Sequence, residues 1–456
     1  MNPEFRRNLW LELTPVRLGV VLFALIALLA MAYVVSSPPH HFVATIGRWS
    51  FFVLVMLWGG RLAADSVVHE INERTWDGQR LSSLGPWAMS WGKLFGAPAA
   101  AWIAGLVALA MVLVADPDYG LADALRLVLI GLLCHATALA MSLQSIRKGR
   151  QPGRVKTFLF QLIGLAAAWL AYLPTYTSWL FGSGAGQVGW FGLSVPASQF
   201  GLATLGLYTL WAVVAVYRLM RLELQKPSTP IVWAAFMAFL IVYGTGLALG
   251  GNFALADISS RLQHALQSAA PSVAALCAYA TMLAFSYVAM FTEPKDPVAL
   301  GQFFAAARQG RWRRAWSLMP RWLVSLVFAA LTLVGALVAL HRYGLDIDTA
   351  TVSDGLLVCA LLFTLRNIAI VLWFNLMPEI RHADMLAFVV IAVLSGIAPF
   401  IVAGMGAYDA MSLFSPWGSR SAGLMVALPA LLEALVVCFM ALLAWRSGQK
   451  LRLSAA

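Results

Sequence analysis

Long apolar stretches separated by short polar segments make up most of the chain. Many are about 20 residues long, the length at which one α-helix crosses the hydrocarbon core of a bilayer. Apolar residues within them are continuous and do not alternate with polar ones, which favours helices over barrel strands. The pattern predicts an all-α integral membrane protein with about 12 transmembrane helices, near residues 16–35, 44–64, 94–115, 121–146, 156–181, 199–221, 230–250, 269–291, 320–341, 351–374, 384–405 and 422–445.

Lysine and arginine are concentrated in alternate connections between these stretches. If the N-terminus is cytoplasmic, most of the 31 basic residues fall in cytoplasmic segments. The outside connections then hold only Arg48, Arg261, Arg342 and Arg420. Cytoplasmic loops of membrane proteins carry such an excess of basic residues. We therefore predict that both termini are cytoplasmic.

The predicted helices fall into two sets of six with the same plan. Each set has a long cytoplasmic connection after its second helix and a basic turn after its fourth. Each also has a Gly/Pro/Ser-rich outside segment after its fifth helix. Because six is even, both sets enter the membrane in the same direction, as in the parallel repeats of transporters. We predict two parallel, pseudo-repeated six-helix halves, at 1–226 and 227–456.

Composition narrows the class of protein. Hydrophobic residues make up 61% of the chain and charged residues 11%, whereas soluble domains are about half apolar and a quarter charged. The net charge is +11, and the basic cytoplasmic segments and their contact with anionic lipid explain it. We therefore predict membrane lipid, and not nucleic acid, as a partner. The four cysteines lie in apolar stretches without disulfide or metal-ligand spacing.

The cytoplasmic connection at 69–94 carries the most specific motif. A charged helical turn is followed by a break at Gly78 and then by a helix that begins with Pro86. Trp87 and Trp91, four residues apart, are suited to the headgroup level of a membrane. The pattern predicts a structured loop at the membrane surface that leads into the third span.

This connection resembles the loop between the second and third spans of ABC-2-type transporter permeases. The resemblance is carried by Glu70, Glu73, Arg74, Thr75, Leu81, Ser82, Ser83, Pro86, Trp87, Gly92, Lys93 and Leu94. The segment from Asn2 to Trp10 also resembles the amphipathic helix before the first span of that family. Its apolar stripe at helical spacing is Phe5, Leu9 and Leu13.

The resemblance implies the permease subunit of an ATP-driven exporter in the bacterial inner membrane. The loop would dock on a separate ABC ATPase subunit, present in two copies, which binds ATP. The implied coupling residues are Glu70, Glu73, Arg74, Thr75, Asp77 and Arg80, with Glu293, Lys295, Asp296 and Arg313 in the second half. Permeases of this family commonly have six spans, so this chain would be two fused halves. A further permease or an accessory subunit is an additional candidate partner.

No motif for catalysis is present in the sequence. There is no Gly-x-x-x-x-Gly-Lys-Ser/Thr phosphate loop, no zinc-protease helix and no Gly-x-Ser-x-Gly elbow. We therefore expect a transporter and not an enzyme, with no metal, no cofactor and no catalytic residue of its own. ATP hydrolysis would come from the partner subunit.

Three polar side chains lie within predicted spans. These are His135, Arg366 and Glu433. A charge at the bilayer centre costs about 2.5–3.5 kcal/mol on insertion scales, so we predict an ion pair between Glu433 and Arg366, which either fixes helix register or contacts substrate. His135 is expected to be a hydrogen-bonded core residue.

Two other functions remain open from the sequence. An ion- or proton-coupled secondary transporter would use Glu433 as its coupling carboxylate. A membrane-embedded transferase would act on lipid-linked substrates through the aspartate-rich outer loops.

Overall fold

A computed structural model describes residues 2–35, 39–148, 154–176, 186–226, 229–250, 268–345, 352–377, 379–380, 382–415 and 427–454. Almost all of this part of the chain is helical. Within it, 10 helices are long and apolar enough to cross a membrane, or up to 11 when one bent pair is counted as a span. The prediction of an all-α, multi-pass membrane protein is therefore confirmed. Twelve crossings and cytoplasmic termini stay predictions.

The chain divides into two compact units. The first contains Met1–Ser178 and Val195–Ser228, and the second contains Trp179–Ser194 and Thr229–Ala456. The two predicted halves, 1–226 and 227–456, stay predictions.

In the part of the first unit that the structure describes there are ten α-helices. They are α1 (Pro3–Glu12), α2 (Pro15–Val35), α3 (Pro39–Phe51), α4 (Gly60–Asn72), α5 (Trp76–Arg80), α6 (Pro86–Trp91), α7 (Ala99–Ala115), α8 (Leu121–Arg147), α9 (Arg154–Tyr176) and α10 (Ala197–Glu223). A π-helical segment, Phe52–Gly59, joins α3 to α4, and a second one, Gly92–Gly96, follows α6. Helix α6 and the second π segment form one continuous helix, which is bent by 52° against α7. The bend lies next to Pro98, whose ring and missing N–H disrupt helical hydrogen bonding.

The described residues of the second unit contain nine α-helices. They are α11 (Ile231–Gly250), α12 (Ala270–Thr292), α13 (Pro297–Arg308), α14 (Trp312–Leu318), α15 (Arg321–Tyr343), α16 (Asp354–Leu376), α17 (Ala383–Ala392), α18 (Ala398–Gly404) and α19 (Ala427–Ser454). The π segment Val393–Ile397 joins α17 to α18.

The connection after the fifth predicted span of each half contains a short non-α element. In the first, strands β1 (Gln187–Trp190) and β2 (Leu193–Pro196) pair around a turn at Phe191 and Gly192, which both have positive φ. In the second, Tyr408–Leu413 forms a 3₁₀-helix. The remaining parts of both segments, at 177–185 and 416–426, lie outside the described residues.

Helix packing follows the same order inside each unit. In the first unit the fourth long helix, α8, packs against the second, fifth and sixth, which are α4, α9 and α10. In the second unit the fourth long helix, α16, packs against α12, α17 and α19, which hold the same positions in order. The second long helix also packs against the third in each unit. In the first unit α3 packs against α7, and in the second unit α12 packs against α15.

Candidate functional site

Lys93 lies at the centre of a buried charged cluster in the first unit, where α1 meets the connection between α4 and α7. Its side chain has no exposed surface, and Nζ donates to Glu70 Oε2 and, at 3.2 Å, to Glu4 Oε1. Glu4 is 2% exposed and Glu70 is 5% exposed. One ammonium group therefore joins a carboxylate of α1 to a carboxylate of α4, and it does so from the second π segment.

Three further side chains complete this cluster. Arg7 Nη1 and Gln79 Nε2 both donate to Glu70 Oε1, at 2.9 Å and 2.6 Å. Asn8 Nδ2 donates to Glu4 Oε1 at 3.0 Å. We call Glu4, Arg7, Asn8, Glu70, Gln79 and Lys93 the N-terminal clamp. It connects α1, α4, α5 and the start of the third span.

The charges of the N-terminal clamp are balanced. Burial alone would raise the pKa of Glu4, but the Lys93 and Arg7 charges outweigh it and hold that pKa below its ordinary value. Burial would lower the pKa of Arg7, and the hydrogen bond to Glu70 and the two carboxylate charges raise it overall. Both groups are therefore held in their charged forms.

The buried face of α1 differs from the predicted one. The buried residues of this helix are Glu4 and Asn8, whereas Phe5, Leu9 and Leu13 of the expected apolar stripe are only half-buried. Glu4 and Asn8 are four residues apart and therefore share a face. Helix α1 is accordingly held to the loop by polar contacts, and not by an apolar stripe alone.

Helix α5 is positioned on the end of α4 by a tight turn. Arg74 adopts a left-handed backbone conformation with φ of 60°, and the N–H of Thr75 donates to Glu70 O at 2.9 Å. Trp76 is 4% exposed, and Lys93 Nζ lies 5.3 Å from the centre of its ring. The short helix is thus seated on the N-terminal clamp.

Most of the other predicted coupling residues of the first half face solvent. Glu73, Arg74, Thr75 and Asp77 are exposed. Leu81, which follows α5, is 89% exposed. Glu70 instead lies in the clamp, and half-buried Arg80 donates from Nε to Glu223 O at 3.1 Å. We call Glu73, Arg74, Asp77 and Leu81 the α5 surface.

The corresponding residues of the second half are mostly engaged within their own unit. Glu293 Oε2 accepts the Arg321 backbone N–H at 2.8 Å, and Glu293 Oε1 lies 3.6 Å from Arg321 Nε. Lys295 Nζ donates to Asp384 Oδ1 at 2.7 Å. Asp296 caps α13 by accepting the Val298 N–H at 2.9 Å, while Arg313 is exposed on α14.

One ion pair recurs at the same place in both units. Glu70 near the end of α4 pairs with Lys93 at the start of the third span, and Glu293 after α12 pairs with Arg321 at the start of α15. Each pair closes the connection between the second and third long helices of its unit. An acidic residue paired with a basic one at this position in both units is what a structural repeat would produce.

Arg366 and Glu433 form the predicted ion pair in the second unit. Arg366 is 2% exposed, and its Nη1 donates to Glu433 Oε2 at 2.6 Å. Nη2 donates to Ser395 Oγ in the π segment at 3.0 Å, and Asn367 Oδ1 accepts from both Nε and Nη2 at 3.1 Å. Asn367 in turn donates from Nδ2 to the Tyr287 hydroxyl at 2.9 Å. Four hydrogen bonds therefore hold the guanidinium to groups of its own unit.

His135 is a hydrogen-bonded core residue, as predicted. It has no exposed surface, and Nε2 lies 2.7 Å from Val55 O in the first π segment. Because a carbonyl oxygen can only accept, Nε2 carries the proton. The bond satisfies a backbone acceptor within an apolar region, where an unpaired carbonyl is costly.

Two aspartates near the predicted outer ends of the first unit form ion pairs. Arg48 Nη1 donates to Asp116 Oδ2 at 3.0 Å, and Arg126 Nη1 donates to Asp123 Oδ1. Among the described residues, no group of three or more His, Cys, Asp or Glu side chains is placed to hold a metal ion. Asp346 and Asp348 lie outside that part of the chain.

Comparisons with models of protein families, with curated proteins and with solved structures found no match.

Proposed function

We propose that the chain is the permease subunit of an ATP-driven, ABC-2-type exporter in the bacterial inner membrane, working with a separate ATPase. The observation that carries the proposal is the seating of α5. A buried, charge-balanced clamp fixes this short helix to α4, and the α5 surface remains exposed. An exposed element with rigid support can transmit force from a partner.

The route of transmission follows the contacts of the clamp. Gln79 on α5 and Glu70 on α4 share a hydrogen bond, and Glu70 and Lys93 link α4 to the start of the third span. A partner that displaces α5 would therefore displace the second and third spans together. The exposed residues of the α5 surface carry both signs of charge and an apolar side chain, a combination suited to a protein partner.

The long helices pack in the same order in both units. This similarity supports a mechanism in which the two six-span halves move against each other. Each half would respond to one of two ATPase copies, and ATP would be bound by those partners. The expelled substrate would be hydrophobic or amphipathic, and the outer Gly/Pro/Ser segments would border its exit.

The test is recovery of an ATPase with the tagged chain from native membranes. We expect Asp77→Arg combined with Leu81→Asp to reduce the recovered ATP hydrolysis by about ten-fold or more, which corresponds to about 1.4 kcal/mol of binding energy. Asp118→Arg is the control, since Asp118 is exposed on a predicted outside turn. Loss of ATPase in the first variant and its retention in the control are the expected pair of results.

Two results would contradict the proposal. One is that the wild-type chain recovers no ATPase, and the other is that the double variant recovers as much as the control. Substrate movement by the chain alone under a proton gradient would instead favour the secondary transporter. The observation that favours that second candidate is Glu433, an ionisable group paired with Arg366 inside a span.

A further inference from the structure

The cytoplasmic connection of the second unit forms a short helical hairpin. Helices α13 and α14 meet at Gly310, whose φ is 68°, and they pack through Phe303, Ala306 and Ala315. Partly buried Leu323 of α15 packs against the same cluster. We call residues 297–318 the basic hairpin. It lies beside the start of a predicted span.

The basic hairpin carries four arginines and no acidic residue. Arg308, Arg311, Arg313 and Arg314 are all exposed. Among the described residues, none of these four side chains has a hydrogen-bond or ion-pair partner. The α5 surface at the matching position of the first unit carries Glu73 and Asp77 as well as Arg74, so the two connections differ in the partner they suit.

Aromatic side chains lie beside these arginines. Trp312 is 71% exposed and Trp316 is 44% exposed, and their spacing of four places them on one helix face. The Phe304 ring lies 5.7 Å from that of Trp445 near the end of α19. Tryptophan with arginine at the end of a span is typical of the membrane–water interface.

A groove opens between α16 and α19 in the same unit. It has a volume of about 630 Å³ and is lined by Trp373, Met440, Leu443 and Arg446 among others. An apolar groove with an arginine at its rim suits an acyl chain below an anionic headgroup. Arg446 follows Trp445 in sequence, so the groove is close to the hairpin.

We propose that the basic hairpin binds anionic phospholipid of the cytoplasmic leaflet, with its arginines on the phosphates and Trp312 and Trp316 at the headgroup level. Juxtamembrane clusters of basic residues are attracted to such lipids, and interfacial aromatic residues anchor them. The inference rests on the proposed cytoplasmic placement of this connection, not on ATPase coupling. It assigns different partners to the two connections: protein to the first and lipid to the second.

The test uses the full chain in nanodiscs of phosphatidylcholine, with or without phosphatidylglycerol. Hydrogen exchange of 297–318 and native mass spectrometry of retained lipid are measured together. We expect phosphatidylglycerol to slow exchange in the hairpin and to be retained by the protein. The variant R308Q/R311Q/R313Q/R314Q is expected to lower retention by about ten-fold or more. The matched R308K/R311K/R313K/R314K variant keeps the charges and is expected to keep most of the retention.

Three results would overturn the inference. Exchange in the hairpin could be the same in both nanodiscs, or the glutamine variant could retain as much phosphatidylglycerol as the wild type. Alternatively, the glutamine variant could lose the ATPase with no change in lipid, which would make the hairpin a protein-docking element. Because Asp77→Arg with Leu81→Asp leaves the hairpin intact, failure of ATPase docking and failure of lipid binding are measured independently.

Discussion

A buried lysine requires a compensating carboxylate, and Lys93 has two of them. Its side chain is fully buried between Glu4 and Glu70, which come from different helices. Taking such a pair out of water is costly, and removing one member leaves the other buried and uncompensated. Lys93 is therefore the fully buried cation that links the carboxylate of α1 to that of α4.

Substitution of Lys93 by methionine is expected to destabilise the chain strongly. Two buried carboxylates would lose their shared cation, at a cost of about 3–5 kcal/mol. Arg17→Gln is the control, because Arg17 and Glu12 form a pair that is 36% and 23% exposed, and such surface pairs contribute about 1 kcal/mol or less. Thermal unfolding in detergent measures both, and equal shifts in the two variants would contradict the role of Lys93.

At the scale of elements, the first π segment fits into grooves made by glycine. A Cβ at Gly105 on α7 would lie 2.1 Å from Val55 Cγ2, and a Cβ at Gly131 on α8 would lie 2.7 Å from Val55 Cγ1. The same turn presents its carbonyl to His135. Close approach of helices through small residues is common where apolar burial cannot drive association. The π-helical turn is thus held by tertiary contacts.

Gly105→Ala is expected to destabilise the first unit, and Gly335→Ala is not. The new methyl group at residue 105 would overlap Val55, and overpacking of this kind costs about 1–3 kcal/mol. Gly335 occupies the third long helix of the second unit and has nothing within 4 Å of the added Cβ, so alanine there is expected to be neutral or to stabilise by up to about 1 kcal/mol. Unfolding midpoints that fall equally in both variants would contradict this packing.

The local elements show which features the sequence could predict. Within the described residues, every predicted apolar stretch contains a helix, because length and hydrophobicity decide that state in a bilayer. The Arg366–Glu433 pair followed from the cost of charges at membrane depth. The first π segment did not follow, because it depends on glycines and a histidine that only packing brings together.

The N-terminal clamp was missed for a related reason. Glu4 and Lys93 are 89 positions apart, and the apolar stripe of α1 indicated a helix on lipid. The available signals were a lysine directly at the start of a span and the polar pair Glu4 and Asn8 on one helix face. Each needs a partner, but the sequence does not say which one.

For the whole molecule, the direction of the second unit depends on α9. Its apolar part, Lys156–Ala171, is shorter than the helices that qualify as spans. If α9 crosses the membrane, both units enter it in the same direction. If it does not, α10 begins on the cytoplasmic side and every later helix is inverted, so the repeat would be antiparallel.

Single cysteines report this direction when labelled by a membrane-impermeant maleimide in intact cells. The background carries Cys277→Ser and Cys438→Ser, since these two native thiols are exposed and Cys134 and Cys359 are buried. We expect Leu121→Cys and Tyr343→Cys to react in intact cells, and Leu81→Cys and Gln309→Cys to react only after permeabilisation. Reaction of Gln309→Cys together with protection of Tyr343→Cys, while the two first-unit positions keep their behaviour, would show that α9 does not cross. The parallel repeat would then be wrong, and the basic hairpin would face the outer leaflet.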